Sequence, residues 1–301
     1  MTVGGVWRSA SDLLRLLSYY PRRRVILLRR FARALGDNLL LSALLPPLRE
    51  RHPDHALVVE TTWPVLFRHN PHVTFATDKF IGEIRTARHQ VPRYVVVPGT
   101  TEPLVAQMLA AVGLEGVQAA PQLYLSGDER DWAEERHPDP FIALCPVAKT
   151  SWAANRKQWE LERFQQLVRL LREWSSLPVV QIGLREDPLL EGVVDARGLA
   201  LRQSLSVLDR ATLFVGLEGV MMHFCKALDT PAALIYGGFI DPAVSGYPDQ
   251  LQISSRPSCS PCARTNSRHD DCETMVCMKG ITAQDAFERI AERFDELRAA
   301  R

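Results

Sequence analysis

The feature that most constrains this chain is a repeated alternation of short aliphatic runs with longer segments whose apolar residues recur at helical spacing. "RVILLRR" (24–30), rich in leucine and β-branched residues, reads as a strand buried on both faces. After "FARALG", the segment "DNLLLSALLPPLRERHP" has the pattern of a helix lying on a sheet, and "HALVVETT" follows as a second strand. Strand, helix and strand at this distance make a βαβ unit, which implies a parallel sheet with right-handed crossovers. "RYVVVPG" reads as a further strand, and the helix-like "TEPLVAQMLAAVGL" carries the alternation to residue 114.

The polar segment 126–140, "SGDERDWAEERHPDP", reads as a helix and linker closed by prolines. The alternation then restarts: "FIALCP" as a strand, "ELERFQQLVRLLREW" as an amphipathic helix, "LPVVQIG" as a strand, "LRQSLSVLDRA" as a helix. "TLFVG", "EGVMMHFCKALD" and "PAALIYGG" continue it as strand, helix and strand. The last helix starts at 282, with Thr282 as N-cap and Asp285 three residues on. The expected organisation is a Rossmann-like α/β domain over 1–137, a second over 138–282, and a helix over 283–301 packing back on the first. The fold class is thus α/β, with two parallel sheets facing a central cleft. A chain of 301 residues suits two medium cores better than one large one.

Thirty-six basic against 35 acidic side chains leave the whole chain near neutrality, so it is not an electrostatic nucleic-acid binder. The first fifty residues differ, with nine arginines against Asp12, Asp37 and Glu50. Such an end attracts an anionic acceptor or an anionic membrane surface, or is simply a solvated basic face. No apolar run approaches the about 20 residues that span a bilayer. The leucines at 13, 14, 16 and 17 are interrupted by Arg15 and followed by "YYPRRR", which is no secretory pattern. They suit a short amphipathic helix resting on a membrane or packed on its own protein. The expected location is cytoplasmic, peripheral to the inner face of a membrane.

In open parallel sheets ligands gather at the carboxyl ends of strands, where helix N-termini offer free amides. Four loops of this kind hold the informative residues. In "RRFARALGDN", Asp37 is either a helix cap or a general base, and Arg29, Arg30 and Arg33 are near enough in sequence to hold an anionic substrate. In "CPVAKTSWAANRKQWELERF", Lys149, Arg156 and Lys157 precede a helix, a combination suited to a diphosphate. Trp159 reads as a core residue or a ligand contact. In "VVQIGLREDP", Gly183 ends a strand, and Glu186 and Asp187 beyond it either accept bonds from ribose hydroxyls or form a solvated loop. In "LFVGLEGVMMHFCKAL", Gly219 permits close backbone approach by a phosphate, and His223 is either a satisfied core side chain or part of a ligand site. The chain has neither a GxGxxG fingerprint nor a GxxxxGK[ST] loop, which argues against dinucleotide oxidoreductases and P-loop NTPases.

Four of the six cysteines, Cys259, Cys262, Cys272 and Cys277, fall within 19 positions. Two close pairs could surround one structural zinc or iron ion, since four thiolates leave no open position for substrate. Free thiols are the other reading.

Taken in order, "LGDNLLLSALLPPLRERHPDHALVV", "NPHV", "RKQWELERF", "VVQIGLREDP", "LFVGLEGVMMHFCKAL", "ALIYGG" and the cysteine-rich "CSPC…CETMVCM" resemble the heptosyltransferase-type glycosyltransferases of family 9. The resemblance implies a GT-B architecture and transfer of a sugar, typically heptose from ADP-heptose, to lipopolysaccharide or a similar surface glycan. It casts Asp37 as the base, with inversion at the anomeric carbon, and Lys157 on the diphosphate. Glu186 lies by the nucleoside, and Glu218, Gly219, Val220, Met221 and His223 lie by diphosphate and sugar, with no metal or other cofactor needed for catalysis. Glu218-Gly219-Val220 stands where the family keeps Asp-Thr-Gly, and "GGFIDPAVSGY" is a distinctive insertion. A nucleotide-sugar epimerase of the same architecture, or a non-catalytic nucleotide-sugar binder or scaffold, is the alternative.

Overall fold

The computed structural model describes residues 25–30, 32–79, 88–96, 99–148, 154–262 and 271–299. The basic segment before residue 25 and Lys149 lie outside them. The chain divides into two compact units, Met1–Tyr94 with Leu104–Tyr124 and Val95–Pro103 with Leu125–Arg301.

The first unit contains β1 (Val25–Arg29), α1 (Leu35–Leu40), α2 (Leu45–Arg51), β2 (Ala56–Glu60), β3 (Phe75–Thr77), β4 (Arg88–Gln90) and α3 (Leu104–Ala110). Its sheet has the order β3-β2-β1-β4 with all pairs parallel, Val25 lying opposite Ala56 and Arg29 opposite Glu60. Val25 to Leu28 are fully buried, as a central strand covered on both faces requires. Two expectations change here. The helix read over 37–53 is broken by a tight 3-10 turn at Leu41–Leu44, after which Pro46 and Pro47 sit in the first turn of α2, where a missing N–H costs little. "RYVVVPG" is not a strand in its described part. The strand is β4, which ends just before Pro92, and proline has no N–H to extend a ladder.

The second unit opens with α4 (Gly127–Arg136), whose Ser126 and Glu129 form a reciprocal capping box. Glu129 also takes a two-point ion pair from Arg202, at 2.8 and 2.5 Å, and Arg130 pairs with Asp209 at 3.0 Å. These bonds bind the expected linker helix into the second unit, so the division falls at Leu125 rather than after residue 137. The remaining elements are β5 (Ile142–Cys145), α5 (Leu161–Trp174), β6 (Val179–Gly183), β7 (Val194–Arg197), α6 (Leu201–Arg210), β8 (Leu213–Leu217) and α7 (Val220–Ala227). They are followed by β9 (Ala232–Ile235), α8 (Pro242–Ser245), β10 (Leu251–Ile253), α9 (Val276–Lys279) and α10 (Ala283–Ala299). The sheet order is β10-β9-β8-β5-β6-β7, again all parallel. Ile142, Leu144, Val215 and Ile235 share a core with Phe164, Leu167 and Leu171 of α5 and Ile290 and Phe294 of α10. Trp174 meets Phe287 and Phe294 edge-on at 6.0 and 5.0 Å, which holds the terminal helix to α5. Thr282 and Asp285 cap it reciprocally.

Each sheet reverses its strand order once, at β1/β4 in the first unit and at β5/β8 in the second. Successive connections leave in opposite directions there, which opens a crevice at the carboxyl ends of those strands. Among the described residues no helix is long and apolar enough to cross a membrane.

Candidate functional site

In the first unit the crevice is built from the loop after β1 and the chain leaving β4. Asp37 lies in the first turn of α1; the N-cap position is Ala34, with no side-chain cap. The Tyr94 hydroxyl, four residues beyond β4, donates to Asp37 Oδ1 at 2.5 Å. Burial, followed by the Asp37 charge and hydrogen bond, pushes the phenol well above its ordinary pKa. Beside this pair Asn38 is fully buried and serves as a strut. Its Nδ2 donates to the carbonyls of Ala32 (3.2 Å) and Ala34 (2.7 Å), and its Oδ1 accepts from Thr61 Oγ1 (2.7 Å) and Thr62 N (3.1 Å). Two of these bonds brace the loop before α1 and two tie it to the residues just after β2, so the Asp37 loop is held by satisfied polar groups.

The three expected acceptor cations separate. Arg29 Nε is 3.4 Å and Arg30 Nη1 3.8 Å from the buried Glu60 carboxylate, whereas Arg33 is exposed and its carbonyl accepts from Trp63 Nε1.

In the second unit the crevice brings together the β5 and β8 loops. Lys157 Nζ lies 2.7 Å from Glu218 Oε1, and both residues are buried. Glu218 Oε2 is buried and accepts no hydrogen bond from the described residues. Lys157 Nζ stands 5.7 Å and the Arg156 guanidinium 6.0 Å from the Phe239 ring centroid, close enough for cation–π attraction. Gly219 is the N-cap of α7 at φ +152°, and a Cβ there would meet nothing within 4 Å. Val220 and Met221 are half-buried at the start of α7. His223 is buried, with Nδ1 2.7 Å from the Tyr247 hydroxyl. Burial, reinforced by the Lys157 charge, lowers its pKa to about 3, so the ring is neutral. Trp159 takes the core role: it is buried, donates to the Ile281 carbonyl at 2.9 Å and packs edge-on to Phe164.

Gly183 ends β6 at φ +145°, and a Cβ there would come within 2.5 Å of Asp187 Oδ2. That oxygen caps Leu184 N at 2.7 Å, so Asp187 shapes the loop while Glu186 faces solvent.

The expected metal cage does not form among the described residues, where no three His, Cys, Asp or Glu side chains are arranged to hold an ion. Cys259 is exposed, whereas Cys277 on α9 joins the core, and all four thiols are free. Burial raises the pKa of Cys262, and a backbone hydrogen bond at Met275 lowers that of Cys272. Cys145 and Cys225 are core thiols, the former pushed up to about 12 by burial.

Reading the sequence missed Tyr94, Asn38 and Tyr247. Asn38 adjoins Asp37, and its polar side chain in an apolar helical run was a usable signal. Tyr94 and Tyr247 are brought in by folding from 57 and 24 residues away.

Two parallel α/β units, each with a polar cluster at its switch point, define a protein of GT-B architecture. The chain belongs to glycosyltransferase family 9 (heptosyltransferase), whose model matches residues 81–272. No curated protein matches the chain in sequence. The structure is similar to the dodecameric iron-containing heptosyltransferase TibC in complex with ADP-D-β-D-heptose, with a TM-score of 0.68 at 17% identity over 91% of this chain and 77% of that one. It is also similar to the E. coli ADP-heptose lipopolysaccharide heptosyltransferase II, at 0.65 and 18% over 90% and 99% of the two chains. A family 9 glycosyltransferase from Veillonella parvula gives 0.68 and 14% over 91% and 98%. At these identities the likenesses establish the fold.

Proposed function

We propose that this chain is an inverting transferase that moves a sugar, most simply a heptose, from an ADP-linked donor to a lipopolysaccharide or related surface-glycan acceptor. The observation that carries the reading is the buried Glu218 Oε2, which accepts no hydrogen bond from the described residues beside Lys157 at the switch point of the second unit. A buried acceptor without a donor suits a ligand hydroxyl, and the ammonium next to it suits a diphosphate. The similar TibC structure contains ADP-D-β-D-heptose and that of E. coli heptosyltransferase WaaC contains ADP, which supports that nucleotide.

In this reading Asp37 takes the proton of the acceptor hydroxyl, whose oxygen attacks the anomeric carbon opposite the diphosphate. The new C–O bond forms as the bond to the diphosphate oxygen breaks, and ADP leaves with the electron pair. Lys157 and the first amides of α7, made approachable by Gly219, Val220 and Met221, stabilise the departing charge, with no divalent metal in the scheme. His223, neutral and held by Tyr247, backs that turn. The Gly183 loop presents Glu186 to the nucleoside. Arg29, Arg30 and Arg33 favour an anionic acceptor, and the arginine-rich N-terminal segment favours the cytoplasmic face of an anionic membrane.

The test is a panel of ADP, UDP and GDP sugars assayed for nucleoside-diphosphate release with and without a lipid-linked acceptor. Release from ADP-heptose only when the acceptor is present is the expected result. Conversion of the donor without an acceptor would instead identify an epimerase, and binding without turnover a non-catalytic member.

A further inference from the structure

We propose that Tyr94 is the positioning residue for Asp37: its hydroxyl holds Oδ1, fixes the carboxylate's orientation and sets how readily it takes a proton. The proposal rests on the reading of Asp37 as the base. Asp37 follows β1 and Tyr94 follows β4, which are neighbouring parallel strands, so the 2.5 Å bond spans the switch point itself. A neutral donor on an ionised acceptor makes a short, charge-assisted bond. The bond lowers the carboxylate's proton affinity because it favours the ionised form. The phenol's raised pKa keeps it a donor throughout the range in which an aspartate titrates. It cannot itself take the acceptor proton at neutral pH.

Among the described residues, the charged side chains on the surrounding elements are Arg29 at the end of β1, Arg30 just beyond it, Glu60 at the end of β2, Arg88 on β4, Arg93 beside Tyr94, and Arg33 in the loop before α1. Tyr94→Phe removes one oxygen and leaves all of them, so a change in Asp37 titration reports the phenol.

The experiment follows the Asp37 carboxyl carbon by 13C NMR in the full chain labelled at aspartate, with Asp37→Asn assigning the signal. In Tyr94→Phe the titration should move up by about one pH unit. The acid limb of the rate profile should move with it, measured with ADP-heptose and heptose-free lipopolysaccharide. The maximal rate should fall about tenfold with the donor KM within about twofold. 3-Fluorotyrosine at position 94, close in shape and a stronger hydrogen-bond donor, should move both down, and it decides the matter if Tyr94→Phe does not fold. Unchanged Asp37 titration in these proteins overturns the role of Tyr94. A shifted titration with an unmoved rate limb, or transfer that survives Asp37→Ala, overturns the base reading instead.

Discussion

At the switch point of the first unit a carboxylate is held by a neutral phenol, and at that of the second a carboxylate is held by an ammonium. Asp37–Tyr94 and Glu218–Lys157 occupy equivalent places, each joining the loops after two neighbouring parallel strands whose connections diverge. The difference is electrostatic. The phenol is a neutral donor to Asp37, whereas the Lys157 ammonium carries the charge opposite to that of Glu218. Burial makes the second pair dependent on its partner: either charge alone would be stranded in a poorly solvated place. The proposed roles follow this difference, proton transfer at the first site and ligand binding at the second.

Removing one member of the buried pair should have the largest effect on stability. Lys157→Ala strands Glu218 and should cost about 3–5 kcal/mol in denaturant unfolding, along with donor affinity. The double substitution Lys157→Met, Glu218→Leu should recover most of that stability while donor affinity stays lost. If the double variant is no more stable than Lys157→Ala, the two residues are not the coupled pair described.

His223 sharpens the contrast through pH. Its folded pKa of about 3 lies below the ordinary 6.5, so between these values the unfolded chain binds a proton that the folded chain refuses. Stability from this group is complete above about 6.5 and declines as the pH falls toward 3, by on the order of 4 kcal/mol. His223→Gln should flatten that part of the thermal-unfolding profile. An unchanged slope would mean that His223 is solvated and outside the Lys157 environment.

A smaller effect is expected among the cysteines of the second unit. Cys272, lowered by backbone hydrogen bonding, should be alkylated by iodoacetamide at neutral pH several-fold faster than Cys262, raised by burial. Mass spectrometry of the peptides reads the ratio, and equal rates would contradict the assigned environments.

The aliphatic runs made both parallel sheets legible, because strands covered by helices on both faces need unbroken apolar sequence. β3, β7 and β10 were not legible, since strands of three or four residues at or near a sheet edge carry too little pattern. Pro92 is a local strand terminator, but the valines beyond it have the pattern of a strand. Asp37, Lys157 and the 218–223 turn were visible because strand ends and helix starts are local. Their partners were not, since Tyr94 and Tyr247 meet them only through tertiary packing. The cysteine spacing suggested a cage, but spacing does not reveal that Cys277 faces the core while Cys259 faces solvent.

The most direct test of the account is Asp37→Asn measured for two quantities on one preparation: donor affinity by titration calorimetry and transfer by nucleoside-diphosphate release. With Asp37 as the base, the donor Kd should stay within about twofold of that of the unaltered protein while transfer falls about 10³-fold. Transfer at the unaltered rate, or affinity and transfer lost in parallel, would contradict Asp37 as the base.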